Sequence, residues 1–179
     1  MKRLLALFLA ATLPAPSTTS GEDMVPAHDQ PATLKVEVLH CHDGDTCRVK
    51  LEDSFWFNVR LSGIDTPEVK GRSAKQKGQP MGEEARDFLN ELVAKKTVQL
   101  RQTDLDPYNR LVVEIFLGNQ NVNLMMVEKG LAEVYRGKAK RLEREPYFQA
   151  EKVAKDKGLG IWSIKNYQSP AAYRSETKN

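Results

Sequence analysis

The sequence predicts an α+β domain: a five-stranded, mostly antiparallel barrel of the OB-fold type with three helices, preceded by a signal peptide and a linker. Three observations carry this. Three short runs of partly alternating apolar and polar residues between 34 and 61 are separated by tight turns, which makes a meander. A strongly amphipathic helical pattern over 81–94 follows the third run. Two further strands, 97–101 and 111–117, then precede two helical patterns, the order of a barrel with helical additions.

Taken along the chain, Met1-Lys2-Arg3, the apolar run Leu4 to Leu13, and then Pro14 with small residues read as an export signal over 1–20. Cleavage after Ser17, Ser20 or Ala27 would each leave small residues at the recognised positions. The apolar run is too short to cross a bilayer as a helix. Residues 21–33 read as a linker, 34–163 as the folded domain, and 164–179 as a loose polar tail. The hydrophobic share, 40 %, is that of an ordinary soluble globule, and 179 residues suit one domain with a leader and a tail. Formal net charge is +3, but 25 basic groups face 24 acidic ones once Lys2 and Arg3 are set aside. Global charge therefore gives no argument for a polyanionic partner, and any basic footprint must be local.

Leu34 to Leu39 reads as the first strand, reversed by an Asp-Gly turn. Cys47, Val49 and Leu51 alternate with Arg48, Lys50 and Glu52 on the second. Phe55, Phe57, Val59 and Leu61 share the core face of the third, which leaves Arg60 on the opposite face. A three-residue loop, Asp43 to Asp45, sets Cys41 opposite Cys47, where a disulfide is possible in an oxidising compartment. A shift of one residue in register separates the pair, so a reduced pair stands as the alternative.

Residues 69–79 form a basic loop with four cations and two glycines. In the helix over 81–94, Ala85, Phe88, Leu89, Leu92 and Val93 lie on one face. Glu83 and Glu84 open it and Lys95-Lys96 close it, as the helix dipole favours. The strand at 111–117 is apolar on both faces. Asn121 to Lys129 reads as a short helix closed by Gly130, and Pro146 suits the first turn of a last helix ending near Gly158. Ile161 and Trp162 are expected to pack back on the core.

Three stretches carry chemistry: Asp43-Gly44-Asp45-Thr46, Arg60 with Asp65-Thr66-Pro67-Glu68, and Asp106-Pro107-Tyr108-Asn109-Arg110. Each alone is an unremarkable turn. Together they gather hard oxygen ligands and two arginines, the inventory for attacking a phosphodiester with a divalent metal. Asp45 and Asp65 meet at one end of the barrel if the second and third strands run side by side. Oxygen ligands without a soft partner favour Ca²⁺ or Mg²⁺ over zinc. Glu68 has the reach of a general base, and Arg60 and Arg110 each offer a planar donor fork to phosphate oxygens.

These motifs, with Gly82-Glu83-Glu84-Ala85 at the helix start and Gly158-x-Gly160-Ile161-Trp162 near the end, resemble the staphylococcal nuclease (thermonuclease) family over about residues 34–163. The resemblance implies a Ca²⁺-dependent nuclease that cuts DNA and RNA with little sequence preference and leaves 3′-phosphate ends. It implies that Asp45, Asp65 and the Thr66 main-chain carbonyl hold calcium, with Asp43 nearby. It also implies that Arg60, Glu68 and Arg110 are catalytic, and that Tyr108 and Tyr135 line the nucleotide pocket. Two departures stand out: Asn109 replaces a glycine that is common before the second arginine, and Pro107 replaces a lysine beside Tyr108. Asn tolerates a left-handed turn, so the loop is expected to survive. Arg136 to Arg144 carries five cations against one acid and suggests a wider footprint on a polyanion.

The sequence therefore points to an exported, monomeric nuclease. The alternative is a catalytically silent OB-type module that binds single strands. Such a module has no need of Arg60, Asp65, Glu68 and Arg110 together, and it is expected to display stacking aromatics where most aromatics here read as core.

Overall fold

The computed structural model describes residues 33–52, 55–71 and 77–177. The expected signal peptide and all but the last residue of the linker lie outside them. Five long strands form the barrel: β1 (Thr33–Cys41), β2 (Thr46–Leu51), β3 (Phe55–Leu61), then β5 (Thr97–Leu105) and β6 (Leu111–Leu117). Short strands β4 (Ile64–Asp65), β7 (Gln120–Asn121) and β8 (Glu133–Val134) lie among the connections. Helices are α1 (Gly82–Val93), α2 (Val122–Glu128), α3 (Glu145–Asp156) and α4 (Pro170–Thr177), with a 3-10 turn at Gly160–Ser163.

The strands run in the order β3-β2-β1-β5-β6, all antiparallel, and a parallel pairing of β3 with β6 closes the barrel. Valines at 36, 38, 49, 59 and 113, with Leu61, Leu100 and Ile115, fill its interior. The alternation expected for β2 and β3 holds at the closed end, where Val59 and Leu61 are buried. It fails at the hairpin tip: Phe55, placed on the core face by pattern, is 60 % exposed, and Trp56 is 57 % exposed. Both precede the strand residues that face the interior.

Helix α1 plugs one end of the barrel with Ala85, Leu89 and Val93. Its Asn90 holds the end of β1, accepting from the Cys41 amide (2.8 Å) and donating to the Cys41 carbonyl (3.0 Å). Lys96 closes the helix by donating to the carbonyls of Glu91 and Leu92. Asn121 is the cap of α2, not its first residue, and accepts from the Leu124 amide at 3.1 Å. Cys41 and Cys47 pair in register and are joined by a disulfide.

Two expectations change. The strand expected over 97–101 continues to Leu105, so the following loop shortens to 106–110. The tail expected to be loose folds into α4, the fourth helix where three were expected. A local start signal is present there, since Ser169 Oγ accepts from the Ala172 amide at 3.2 Å and Pro170 opens the helix.

A buried amide ties the barrel to α2. Asn123 accepts from the Ile115 amide (3.0 Å) and donates to the carbonyls of Ser62 (2.9 Å) and Val113 (3.0 Å). Asn123→Ala takes this partner from the buried Ile115 amide and Ser62 carbonyl and removes packing, so it should cost about 3 kcal/mol. The check is a urea unfolding curve whose midpoint falls while its slope is unchanged.

Candidate active site

Barrel closure brings the two expected arginines together. In the parallel pairing Val59 lies opposite Leu111 and Arg60 opposite Val112, so Arg110 enters β6 beside the strand that carries Arg60. On the other side of β3, Thr46 pairs with Arg60, and the Leu61 amide donates to the Asp45 carbonyl at 2.7 Å. One strand thus positions residues from three distant stretches of sequence.

Asp45 and Asp65 are 3 % and 2 % exposed. Arg60 bridges them, Nη1 donating to Asp45 Oδ1 (2.9 Å) and Nη2 to Asp65 Oδ1 (3.2 Å). Asp45 also accepts from the Thr46 hydroxyl (3.2 Å) and, at 3.4 Å, from the Thr66 amide. Asp43 orders the turn by accepting from the Asp45 amide at 3.0 Å. Gly44 is required by close approach: a Cβ there would lie 2.8 Å from Thr66 Cγ2.

The partners of this bridge are affected unequally. Burial, with Asp43 and Asp65 adding to it, pushes the Asp45 carboxyl up to about 7 against the pull of Arg60. Burial also works against the Arg60 charge, but Asp45, Asp65 and Asp43 outweigh it and hold the guanidinium above its ordinary value. Glu133, opposite Asp65 in the β4–β8 pair, is likewise raised to about 7 by burial, Asp65 and Glu151.

Glu68 follows Pro67 on the connection to α1. Its amide donates to Gln79 Oε1 (3.1 Å), and its carbonyl accepts from the Gln79 amide (2.8 Å). A Cβ on Gly82 would lie 2.4 Å from that carbonyl oxygen, which explains the glycine at the helix start. The loop 106–110 is built around Asp106, which accepts from the amides of Tyr108 and Arg110 (both 2.9 Å) and from Arg110 Nε (2.6 Å). Burial opposes the Asp106 charge, but these bonds hold its carboxyl below the usual range. Asn109 adopts φ 59°, the left-handed turn expected of it.

A cleft of about 410 Å³ collects these groups: Asp43, Asp45, Arg60, Thr66, Glu68 and Arg110 share it with Tyr108 and Tyr135. Tyr108 is 81 % exposed on its rim. Tyr135 follows β8, its amide donating to the Gly63 carbonyl at 2.9 Å. A larger depression, about 500 Å³, opens beside Thr33 and Thr97, but Lys35 is the one charged group among its lining residues. The site candidates read from the sequence therefore share one cleft, except Asp65, which is buried behind it and reaches it through its bond to Arg60.

Three of the five cations in the basic segment 136–144 are engaged within the protein. Arg136 pairs with Glu151, Lys140 with Asp104, and Arg144 donates to the carbonyls of Tyr135 and Gly137. Part of the basic loop, 72–76, lies outside the described residues. One residue of the cleft was missed altogether: Arg174 on α4 donates to both Asp65 oxygens and to Glu68. No local pattern flags it, because a single arginine in a polar tail has no periodicity or motif.

Among the described residues no three His, Cys, Asp or Glu side chains are gathered closely enough to hold a metal by themselves. Asp45, Asp65 and the Thr66 carbonyl nevertheless offer only hard oxygen donors. That donor set fits a hard divalent cation completing its shell with water or substrate oxygen, and not zinc.

Comparison with known proteins agrees with this geometry. The model of the staphylococcal nuclease homologue family matches residues 58–164. The chain is 33 % identical over 142 residues to an uncharacterized endonuclease of Haemophilus influenzae, covering 79 % of this chain and 73 % of that one. It is 34 % identical over 157 residues to a micrococcal nuclease of Shigella flexneri, covering 83 % and 84 %. It is 35 % identical over 127 residues to a probable endonuclease of Zygosaccharomyces rouxii, covering 66 % and 45 %.

The raised Asp45 carboxyl has a consequence for stability. Burial raises the Asp45 carboxyl from its ordinary value near 3.8 to about 7, so stability declines as pH rises through that window. Asp45→Asn, compared with the parent in chelator, should therefore gain more at about pH 8 than at about pH 5. Chemical denaturation at the two pH values checks it, and an equal effect at both would refute the assignment.

Proposed function

The chain belongs to the staphylococcal nuclease homologue family, and from that membership we propose that it is a nuclease, a hydrolase of phosphodiester bonds in DNA and RNA. The observation that carries the reading is the shared cleft, where two arginines from paired strands face carboxylates from two turns. A silent binding module has no use for that arrangement. Of the exposed aromatics Phe55, Trp56, Tyr108 and Tyr135, only Tyr108 and Tyr135 line this cleft.

Calcium is the metal of this reading, held by Asp45, Asp65 and the Thr66 main-chain carbonyl. Bound there, it supplies positive charge for the phosphate oxygens and orients them for in-line attack. Glu68 takes a proton from the attacking water. The water oxygen forms the new bond to phosphorus as the P–O5′ bond breaks, which leaves a 3′-phosphate. The departing 5′ oxygen takes its proton from solvent, since an arginine is too weak an acid to give one. Arg60 and Arg110 donate to the phosphoryl oxygens as charge grows on them. Arg110 spends only Nε on Asp106, so its terminal nitrogens remain for phosphate. Tyr108 and Tyr135 offer ring faces to the bases, and contacts to phosphates and ring faces carry little sequence information.

The reading takes the enzyme as a monomer. Export is part of the proposal and is supported by the charged and apolar leader of the sequence. The Cys41–Cys47 disulfide suits the same oxidising destination. No helix of the described residues is long and apolar enough to cross a membrane.

Hydrolysis of single-stranded DNA with calcium and again with chelator, followed by end-group analysis, tests the reaction. Cleavage that needs calcium and leaves 3′-phosphates is expected, and tight strand binding without cleavage would favour the silent module. Glu68→Gln should lower kcat by about a hundredfold or more while calcium and nucleotide still bind. Equal loss of binding and turnover would argue against the base role. Arg60→Lys should also be damaging, because one ammonium cannot span Asp45 and Asp65 and still meet phosphate. A near-normal kcat in that variant would show that the fork is dispensable.

A further inference from the structure

We propose that Arg174 is a positioning residue of this active site, fixing the Glu68 carboxylate relative to Asp65, so that the C-terminal helix is part of the catalytic unit. The inference rests on the reading of Glu68 as the general base. Arg174 Nη1 donates to Asp65 Oδ1 at 3.0 Å and to Glu68 Oε1 at 2.7 Å, while Nη2 donates to Asp65 Oδ2 at 2.7 Å. Asp65 and Glu68 hold this guanidinium above its ordinary value against the cost of burial.

Glu68 needs such a partner. It has three side-chain torsions, stands half-exposed on a connecting segment, and has no other donor to its carboxylate among the described residues. A base with free rotamers spends little time at the one geometry that reaches a water beside the phosphate. Asp65 offers the fixed reference, because it is buried on β4 and already gripped by Arg60. The planar fork of Arg174 spans the two carboxylates with one rigid group, which a lysine cannot do.

The helix is itself tied to the segment it steadies. Gln79 accepts from the Glu68 amide through Oε1 (3.1 Å) and donates through Nε2 to the Gln168 carbonyl (2.8 Å), just before α4. The Gly78 amide donates to the Tyr173 hydroxyl at 3.1 Å. Backbone and side chain of Glu68 are therefore both linked to α4, one through Gln79 and the other through Arg174. The closed circuit argues for support, not for a plug. Arg174 is a wall of the 410 Å³ cleft, which stays open with the guanidinium in place. The matched family region ends at residue 164, so this wall lies beyond it.

The test uses the full chain with Arg174→Ala, Arg174→Lys and, in parallel, Glu68→Gln. Arg174→Ala should lower kcat about tenfold or more with KM within about twofold, because geometry is lost and not substrate affinity. Added guanidinium ion should restore part of that kcat. Arg174→Lys, which keeps charge and helix, should recover less than half of the parent turnover. In chelator, amide hydrogen exchange of residues 68–71 and 170–177 should rise in Arg174→Ala, a readout independent of metal and substrate. A merely structural arginine would lower thermal stability, leave kcat of the folded enzyme intact and give no response to guanidinium, and that result overturns the proposal. Turnover that increases in Arg174→Ala overturns it too, since the residue would then obstruct the site. Full turnover in Glu68→Gln overturns the base assignment on which the inference rests. A dead Glu68→Gln beside a fully active Arg174→Ala overturns the role of Arg174 alone.

Discussion

The cleft depends on a single guanidinium. Arg60 lies at the seam where β3 closes the barrel, and it bridges a carboxylate from the β1–β2 turn and one from β4. Two buried acids so close together would repel each other and destabilise that end of the fold. A fork of fixed geometry between them offsets the repulsion and sets their spacing. The rest follows from the seam: β2 brings Asp45 on one side, β6 brings Arg110 on the other, and the chain leaving β3 turns at once into Asp65, Thr66 and Glu68.

Each reactive group has a protein counter-ion. Arg60 has Asp45 and Asp65, Arg110 has Asp106, and Glu68 has Arg174. Buried pairs of this kind contribute little net stability, because desolvation consumes most of the attraction. What they contribute is orientation: side chains with three or four torsions are held at defined angles before substrate arrives. The cost appears at Asp45, whose carboxyl burial drives up to about 7 even beside Arg60. Preorganisation here trades stability for geometry, the usual relation between a polar site and its scaffold.

Sequence revealed the barrel because its strands obey a period of two and α1 a period of 3.6, and both periods are set by one buried face. The motifs were legible for a related reason. Gly44 is needed because Thr66 leaves no room for a Cβ, and Gly82 because the Glu68 carbonyl lies against it. Tight approaches leave a residue-type signature. Phe55 misled because an alternating pattern does not say where the barrel interior ends. Composition of the basic run at 136–144 does not reveal the partners Glu151 and Asp104, far off in sequence. Arg174 was invisible for the same reason. Its contacts with Asp65 and Glu68 span 109 and 106 residues, and no local spacing encodes them.

These long-range contacts redraw the boundary of the functional unit. The matched family region covers residues 58–164, yet the cleft takes Asp43 and Asp45 from before it and Arg174 from after it. Barrel closure explains the upstream part, since β2 must lie beside β3 for Arg60 to find Asp45. Downstream the logic differs. Strand pairing fixes Asp65 through the β4–β8 ladder, but the backbone that carries Glu68 belongs to no sheet. A carboxylate on such a segment is only as well placed as the side chains around it. Gln79 and Arg174 supply that placement from outside the barrel, so the polar tail folds against a functional group that strand pairing does not hold.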